Sequence, residues 1–165
     1  MATEWIEKLA DGIKQKNHEA AEEYGRAQHY AGIVSARGKE FFLALVQYLQ
    51  EYVDALRGQL QGDLTASETR VQTSPPDEVK ITRARFPWVD ARLTHQGDTI
   101  KLDYAKRPGA EGDPTMDRVT RAFSFQVGAD DGLFVRDAFA EPGRVYKKPE
   151  DLARQMIEML FGSNG

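Results

Sequence analysis

From Thr3 to about Leu60 the chain contains no proline and is rich in Ala, Glu, Lys, Gln and Leu, the residues that lose least on becoming helical. Thr3 with Glu7 downstream marks a helix start. Counting in sevens from Ile6 gives Ile6, Ile13, Ala20, Ala27, Val34, Phe41, Tyr48 and Ala55, all apolar or aromatic. Four residues further on, the companion positions read Ala10, Asn17, Tyr24, Ala31, Gly38, Leu45, Tyr52 and Gln59, interrupted by polar groups at Asn17 and Gln59. Such a seam is heptad-like but imperfect. An unbroken helix over this span extends roughly 80 Å, against about 35 Å for the diameter of a ~100-residue domain. It must therefore project or find company. Gly12, Gly25, Gly32 and Gly38 each cost about 1 kcal/mol relative to alanine in a helix interior. The alternative is thus a helical hairpin broken around Ser35 to Gly38.

The next stretch, QGDLTASETRVQTSPP from Gln61 to Pro76, is a polar connector whose glycine and paired prolines end the helix. A boundary near residue 63 divides a helical segment, 1–63, from a sheet domain, 64–165, with Val71 and its neighbours as a marginal edge strand. After Pro76 the apolar period falls from helical to two. Val79 and Ile81 alternate with Lys80 and Thr82, and Ile100, Leu102 and Tyr104 alternate with Lys101 and Asp103, the pattern of half-buried strands. Gln96 and Gly97 supply a tight hairpin turn, and Pro87 predicts a bulge or bend. Arg107 to Asp117 is a glycine- and proline-dense loop. Arg118 to Val127 and Leu133 to Phe139, joined by GADDG from Gly128 to Gly132, form a second hairpin.

At the C-terminal end Pro149, Glu150 and Asp151 open a helix in favourable order, and Leu152, Met156, Ile157, Met159, Leu160 and Phe161 give it an apolar side. Nothing between Pro76 and Pro149 has helical periodicity, so successive strands pair as antiparallel neighbours. The expected fold is α+β: a long N-terminal helix or helical hairpin, an antiparallel sheet of about four to five strands, and a C-terminal helix packed on the sheet.

Composition narrows function mainly by exclusion. The 165 residues suffice for a core without disulfides or metal, and a formal charge of −4, mixed in sign along the chain, selects no polyanionic partner. With no cysteine there is no thiolate nucleophile or zinc–thiolate site. The first residues interleave charges with apolar side chains, unlike a signal peptide, and no apolar run approaches membrane-spanning length. The expectation is a cytoplasmic protein without membrane association.

His18, Glu22 and His29 share a helix side and offer the best metal-ligand spacing, but Arg26 lies among them and no second helix brings a matching histidine, so a solvated charged face is expected and no metal is assigned. Asp130 and Asp131 before Gly132 lack the alternation of a calcium loop. RAFSFQV, from Arg121 to Val127, faintly echoes a base-stacking strand, yet Phe123 and Phe125 are expected in the core and nucleic-acid binding is not expected. No phosphate loop, dinucleotide fingerprint, nucleophile elbow or paired-histidine motif occurs. No cofactor and no catalytic residue is assigned.

Two functional expectations follow. The first is a non-enzymatic assembly or interaction protein that self-associates, most simply as a dimer, through Ile6, Ile13, Tyr24 and Val34, while its sheet faces a protein partner. The second is a small-ligand module using the sheet face or the 107–117 loop, with Arg83, Arg85, Trp88, Tyr104 and Arg121 as the binding side chains. Against the second stands cross-strand pairing of the arginines with Asp90, Asp103 and Asp137.

Overall fold

The structure is a computed structural model that describes residues 3–59, 69–74, 77–83, 88–107, 116–138 and 144–162. Helix α1, Glu4–Gln59, is continuous over 56 residues. Strands β1 (Thr69–Ser74), β2 (Glu78–Arg83), β3 (Val89–Gln96), β4 (Thr99–Lys106), β5 (Asp117–Val127), β6 (Leu133–Asp137) and β7 (Val145–Tyr146) follow in turn, and helix α2, Pro149–Phe161, closes the fold. The strands form one meander in the order β1 to β7, each antiparallel to the next. Short links without crossovers leave no other simple pairing.

Seven strands replace the expected four or five. The additional edges are β1, TRVQTS, whose Val71 is only half-buried, and β7, which has just two residues. β1 is the marginal edge strand expected around Val71, whereas β7 is too short to carry an alternating pattern of its own. The bulge expected at Pro87 and the core of the 107–117 loop lie outside the described residues, as does the stretch around the boundary at 63.

Alternation decides which face is covered. Val79, Ile81, Val89, Ala91, Leu93, Ile100, Leu102, Tyr104, Phe123, Phe125 and Val135 are buried on one side of the sheet, and registers such as Leu93 opposite Leu102 and Ile100 opposite Phe123 keep them together. Both helices lie on this side. Phe41, Phe42, Leu45 and Leu49 of α1 join Leu152, Ala153, Met156, Met159 and Leu160 of α2 in the same core. The opposite face is polar, with Arg92 bonded to Glu78 at 2.8 Å and Thr120 to Asp103 at 2.6 Å.

The expected break at Ser35–Gly38 does not occur. Gly38 is buried, and a Cβ built on it would stand 3.3 Å from the Phe125 ring. Its glycine lets the helix axis approach the sheet; it is a contact residue, not a hinge. The sevenfold seam also changes character along α1. An undistorted helix drifts about 20° per heptad against a seven-residue repeat, so by Tyr48 and Ala55 the stripe has rotated off the body: Tyr48 is half-buried and Ala55 exposed. Phe42, Leu49 and Val53 take over the buried face.

Several charged side chains nevertheless lie on the covered face. Lys106, 8% exposed, donates from Nζ to the Met159 carbonyl at 3.0 Å, satisfying an orphan acceptor of α2's last turn and placing a cation at its negative end. Arg83 donates to Thr69 Oγ1 at 2.8 Å, joining β2 to β1.

Candidate functional site

The first half of α1 has almost no tertiary environment. Every residue from Glu4 to Gly32 except Ala10 is exposed, and the first side chain to bond outside the helix is His29, whose Nε2 stands 3.1 Å from Asp131 Oδ2. Eight residues on, Arg37 donates to the Asp131 carbonyl at 3.1 Å. Asp131 occupies the β5–β6 turn with φ 59°, and Asp130 Oδ1 accepts from Gly132 N at 3.0 Å to hold that turn. The turn thus clasps the helix where it leaves the body. Beyond it about 40 Å of helix projects, at 1.5 Å per residue from Glu4 to Tyr30.

That projection is not polar all round. Trp5 is 64% exposed, Ile6 48%, Leu9 56%, Ile13 52% and Tyr24 66%. Their direction is set by helix geometry. Trp5 and Phe41, Ile6 and Phe42, Leu9 and Leu45, and Ile13 and Leu49 each stand 36 residues apart, about ten turns at 3.6 residues per turn. The exposed quartet therefore points the same way as the quartet that packs on the sheet.

Where this face meets the body a notch opens, with a volume of about 840 Å³. Its helix side is Tyr30, Ala31, Val34 and Ser35; its floor is the end of the sheet, including His95, Phe125 and Val127. The His95 imidazole packs between Phe42, at 5.2 Å between centroids, and Phe125, at 5.6 Å. Nε2 lies 3.0 Å from the Gly97 carbonyl; since a carbonyl only accepts, Nε2 is the donor. Gly97, at φ 59°, makes the two-residue turn that brings this carbonyl back. Ser35, Asp77 and Asp98 rim the notch, but Asp98 accepts from Thr99 at 3.1 Å and His95 is committed to Gly97, so no nucleophile–base pair forms among the described residues.

A second, polar groove of about 490 Å³ crosses the open sheet face between Lys80, Arg92, Arg118, Asp90 and Asp103. Of the described residues expected to bind a ligand there, Tyr104 borders the groove and the others do not. Arg83, Tyr104 and Arg121 belong to the helix-covered face, Arg83 and Tyr104 being buried and Arg121 standing opposite buried Leu102. Trp88 lies outside the ladder with the Arg107 guanidinium 5.2 Å above its ring, a cation–π contact at the strand's end. Arg85 lies outside the described residues. Of the residues named for cross-strand pairing, Arg92 takes Glu78, and Asp103 takes Thr120 and, at 3.6 Å, Lys101.

The His18, Glu22 and His29 trio separates too. His18 bonds Glu22 at 3.1 Å and His29 turns to Asp131, and no group of three or more potential ligands gathers among the described residues. Phe123 and Phe125 are core residues. Ile6, Ile13 and Tyr24 of the expected interface are exposed on the projection, while Val34 is half-buried at the notch. Counting in sevens overlooked Trp5 and Leu9; the ten-turn recurrence of the core quartet is the signal that finds them.

No family model, curated protein or solved structure matches this chain. Nor is any helix among the described residues long and apolar enough to cross a membrane.

Proposed function

We propose that this chain is a non-enzymatic assembly protein that associates with itself, as a dimer, through the projecting half of α1, leaving the polar sheet face free for a further protein partner. The setting inferred with it is the cytoplasm. One observation carries the reading: Trp5, Ile6, Leu9 and Ile13 are about half or more exposed, yet repeat the core quartet in spacing and direction. Burying one such side chain is worth about 1.5–3 kcal/mol, so two copies of the face supply enough for micromolar association after the cost of immobilising the partners.

The test replaces the face without touching the body. Ile6→Asp with Ile13→Asp is expected to give a monomer with unchanged circular dichroism at concentrations where the parent chain sediments as a dimer. A parent chain that stays monomeric at hundreds of micromolar contradicts the proposal.

A second reading, a small-ligand module, is favoured by the polar groove, where Lys80, Arg92 and Arg118 surround about 490 Å³ of open space. It predicts a rise in melting temperature with a small anion and no change in mass. The neighbouring carboxylates Asp90 and Asp103 weigh against it, since they already balance much of that charge.

A further inference from the structure

Resting on that reading of α1, we infer that two copies pair as antiparallel helices, and that Trp5 of each copy seats in the notch of the other.

Residue size along the projection sets the direction. The seam is bulky at Ile6 and Ile13 but small at Ala20, Ala27 and Ala31. A parallel pair stacks bulky on bulky and leaves the small stretch facing itself. An antiparallel pair in which facing residue numbers sum to 37 sets Ile6 against the second copy's Ala31, Ala10 against Ala27, Ile13 against Tyr24 and Asn17 against Ala20. Ile6 then lies on the second copy's Ala31 instead of on another Ile6, Ala10 and Ala27 let the helices approach closely, and Ile13 packs on the Tyr24 ring.

Charge and polarity agree with the same register. In an antiparallel pair like flank meets like flank, and Lys16 shares its flank with Glu23, so each Lys16 comes beside the second copy's Glu23 on both sides of the axis. Asn17, the polar interruption in the projecting seam, falls close to the twofold axis, where two amides can bond each other; a lone polar seam residue fixes register in paired helices. From Glu4 to Arg26 the projection holds six carboxylates and four Lys or Arg, a net acidic, mixed-sign surface that suits a second copy better than an anionic membrane.

The body supplies the stop. At a sum of 37, Trp5 reaches the level of the second copy's residue 32, between Ala31 and Val34, which line the notch of about 840 Å³. Trp5 and Val34 lie on the same flank as Tyr30, so the indole arrives on the notch's aromatic side. Further sliding drives the helix end into the sheet.

Because the chain has no cysteine, disulfide mapping in the full chain reads the register directly. Ala10→Cys and Ala27→Cys variants, differently tagged, are mixed and oxidised. The expected product is the mixed 10–27 disulfide, at least tenfold over either like-with-like product. In a Trp88→Phe background, Trp5 emission is expected to shift to the blue and resist acrylamide in the dimer, and to lose both on dilution. Dominant 10–10 and 27–27 products overturn the antiparallel seam while leaving self-association intact. Mixed disulfides with a Trp5 as quenchable as in the diluted chain overturn the notch alone. A parent chain that never dimerises removes both this inference and the reading beneath it.

Discussion

Gly38 of α1 lies directly on the ring of Phe125 from β5, with 3.3 Å between that ring and the point a Cβ would occupy. This is where the helix lands on the sheet; N-terminal to it only Val34 and the His29 and Arg37 clasp on Asp131 hold α1 to the body among the described residues before it departs. Phe125 cannot retreat, because Phe41 stands edge-on to it at 5.6 Å and His95 at 5.6 Å.

A side chain at 38 must therefore overpack a hemmed-in ring. Gly38→Val is expected to lower stability by about 1–2 kcal/mol, the overpacking cost less the helix propensity recovered from glycine. Gly25→Ala and Gly32→Ala, where a Cβ meets nothing within 4 Å, should leave the urea midpoint unchanged or slightly raised. A neutral Gly38→Val would show that the helix can lift off the sheet at no cost.

Lys106 ties the sheet to the far end of α2 through the Met159 carbonyl. Lys106→Met keeps the buried stem but removes the charged donor, and a loss of about 1–2 kcal/mol is expected from the bond and the helix-end interaction together. Urea denaturation with an unchanged m-value reads it. No loss would mean that water serves the carbonyl equally well.

Tyr146 is buried on β7, with Arg144 beside its hydroxyl. Burial pushes its pKa above the ordinary 10.0; the hydrogen bond and charge of Arg144 oppose the rise, Asp137 adds to it, and Arg121 opposes it weakly. Tyr52, raised by burial and then by the Glu150 charge, shifts the same way. The folded chain thus holds these protons more tightly than the unfolded chain. Their contribution to stability is complete below pH 10 and is lost as pH climbs from there through the folded values. Tyr146→Phe should change stability near neutrality by no more than about 1 kcal/mol, the deleted polar group's burial cost offsetting its tie to Arg144, and should flatten the fall above pH 10. A steeper alkaline loss in the variant would contradict this account.

How far the sequence discloses these arrangements depends on how local each signal is. The long helix, the β3–β4 turn at Gly97, the hairpin around Asp131 and the proline-led α2 are written in propensity and period, and each is present. The edge β1 is legible only as a marginal strand at Val71, and β7 not at all, because both gain their strand status from neighbours rather than from their own pattern. The faces of the charged residues are legible in period but not in polarity. Arg83 keeps step with Val79 and Ile81, and Lys106 with Ile100, Leu102 and Tyr104, on the covered side, where tertiary acceptors, Thr69 Oγ1 and the Met159 carbonyl, satisfy them; their charge alone reads them as solvent-facing. The notch depends on where α1 crosses the sheet, which Gly38 and Phe125 decide across nearly ninety positions of chain. The exposed apolar face of α1 was half legible: a period of seven finds Ile6 and Ile13, while the helix's own 3.6 adds Trp5 and Leu9.

The most direct measurement is sedimentation equilibrium on two chains, the full protein and one beginning at Gln28, which keeps the His29 and Arg37 clasp on Asp131. The full chain is expected at twice its 18.6 kDa mass, and the shortened chain as a folded monomer with unaltered sheet circular dichroism. A full chain found only as a monomer, or a shortened chain that dimerises as well as the parent, would contradict the account.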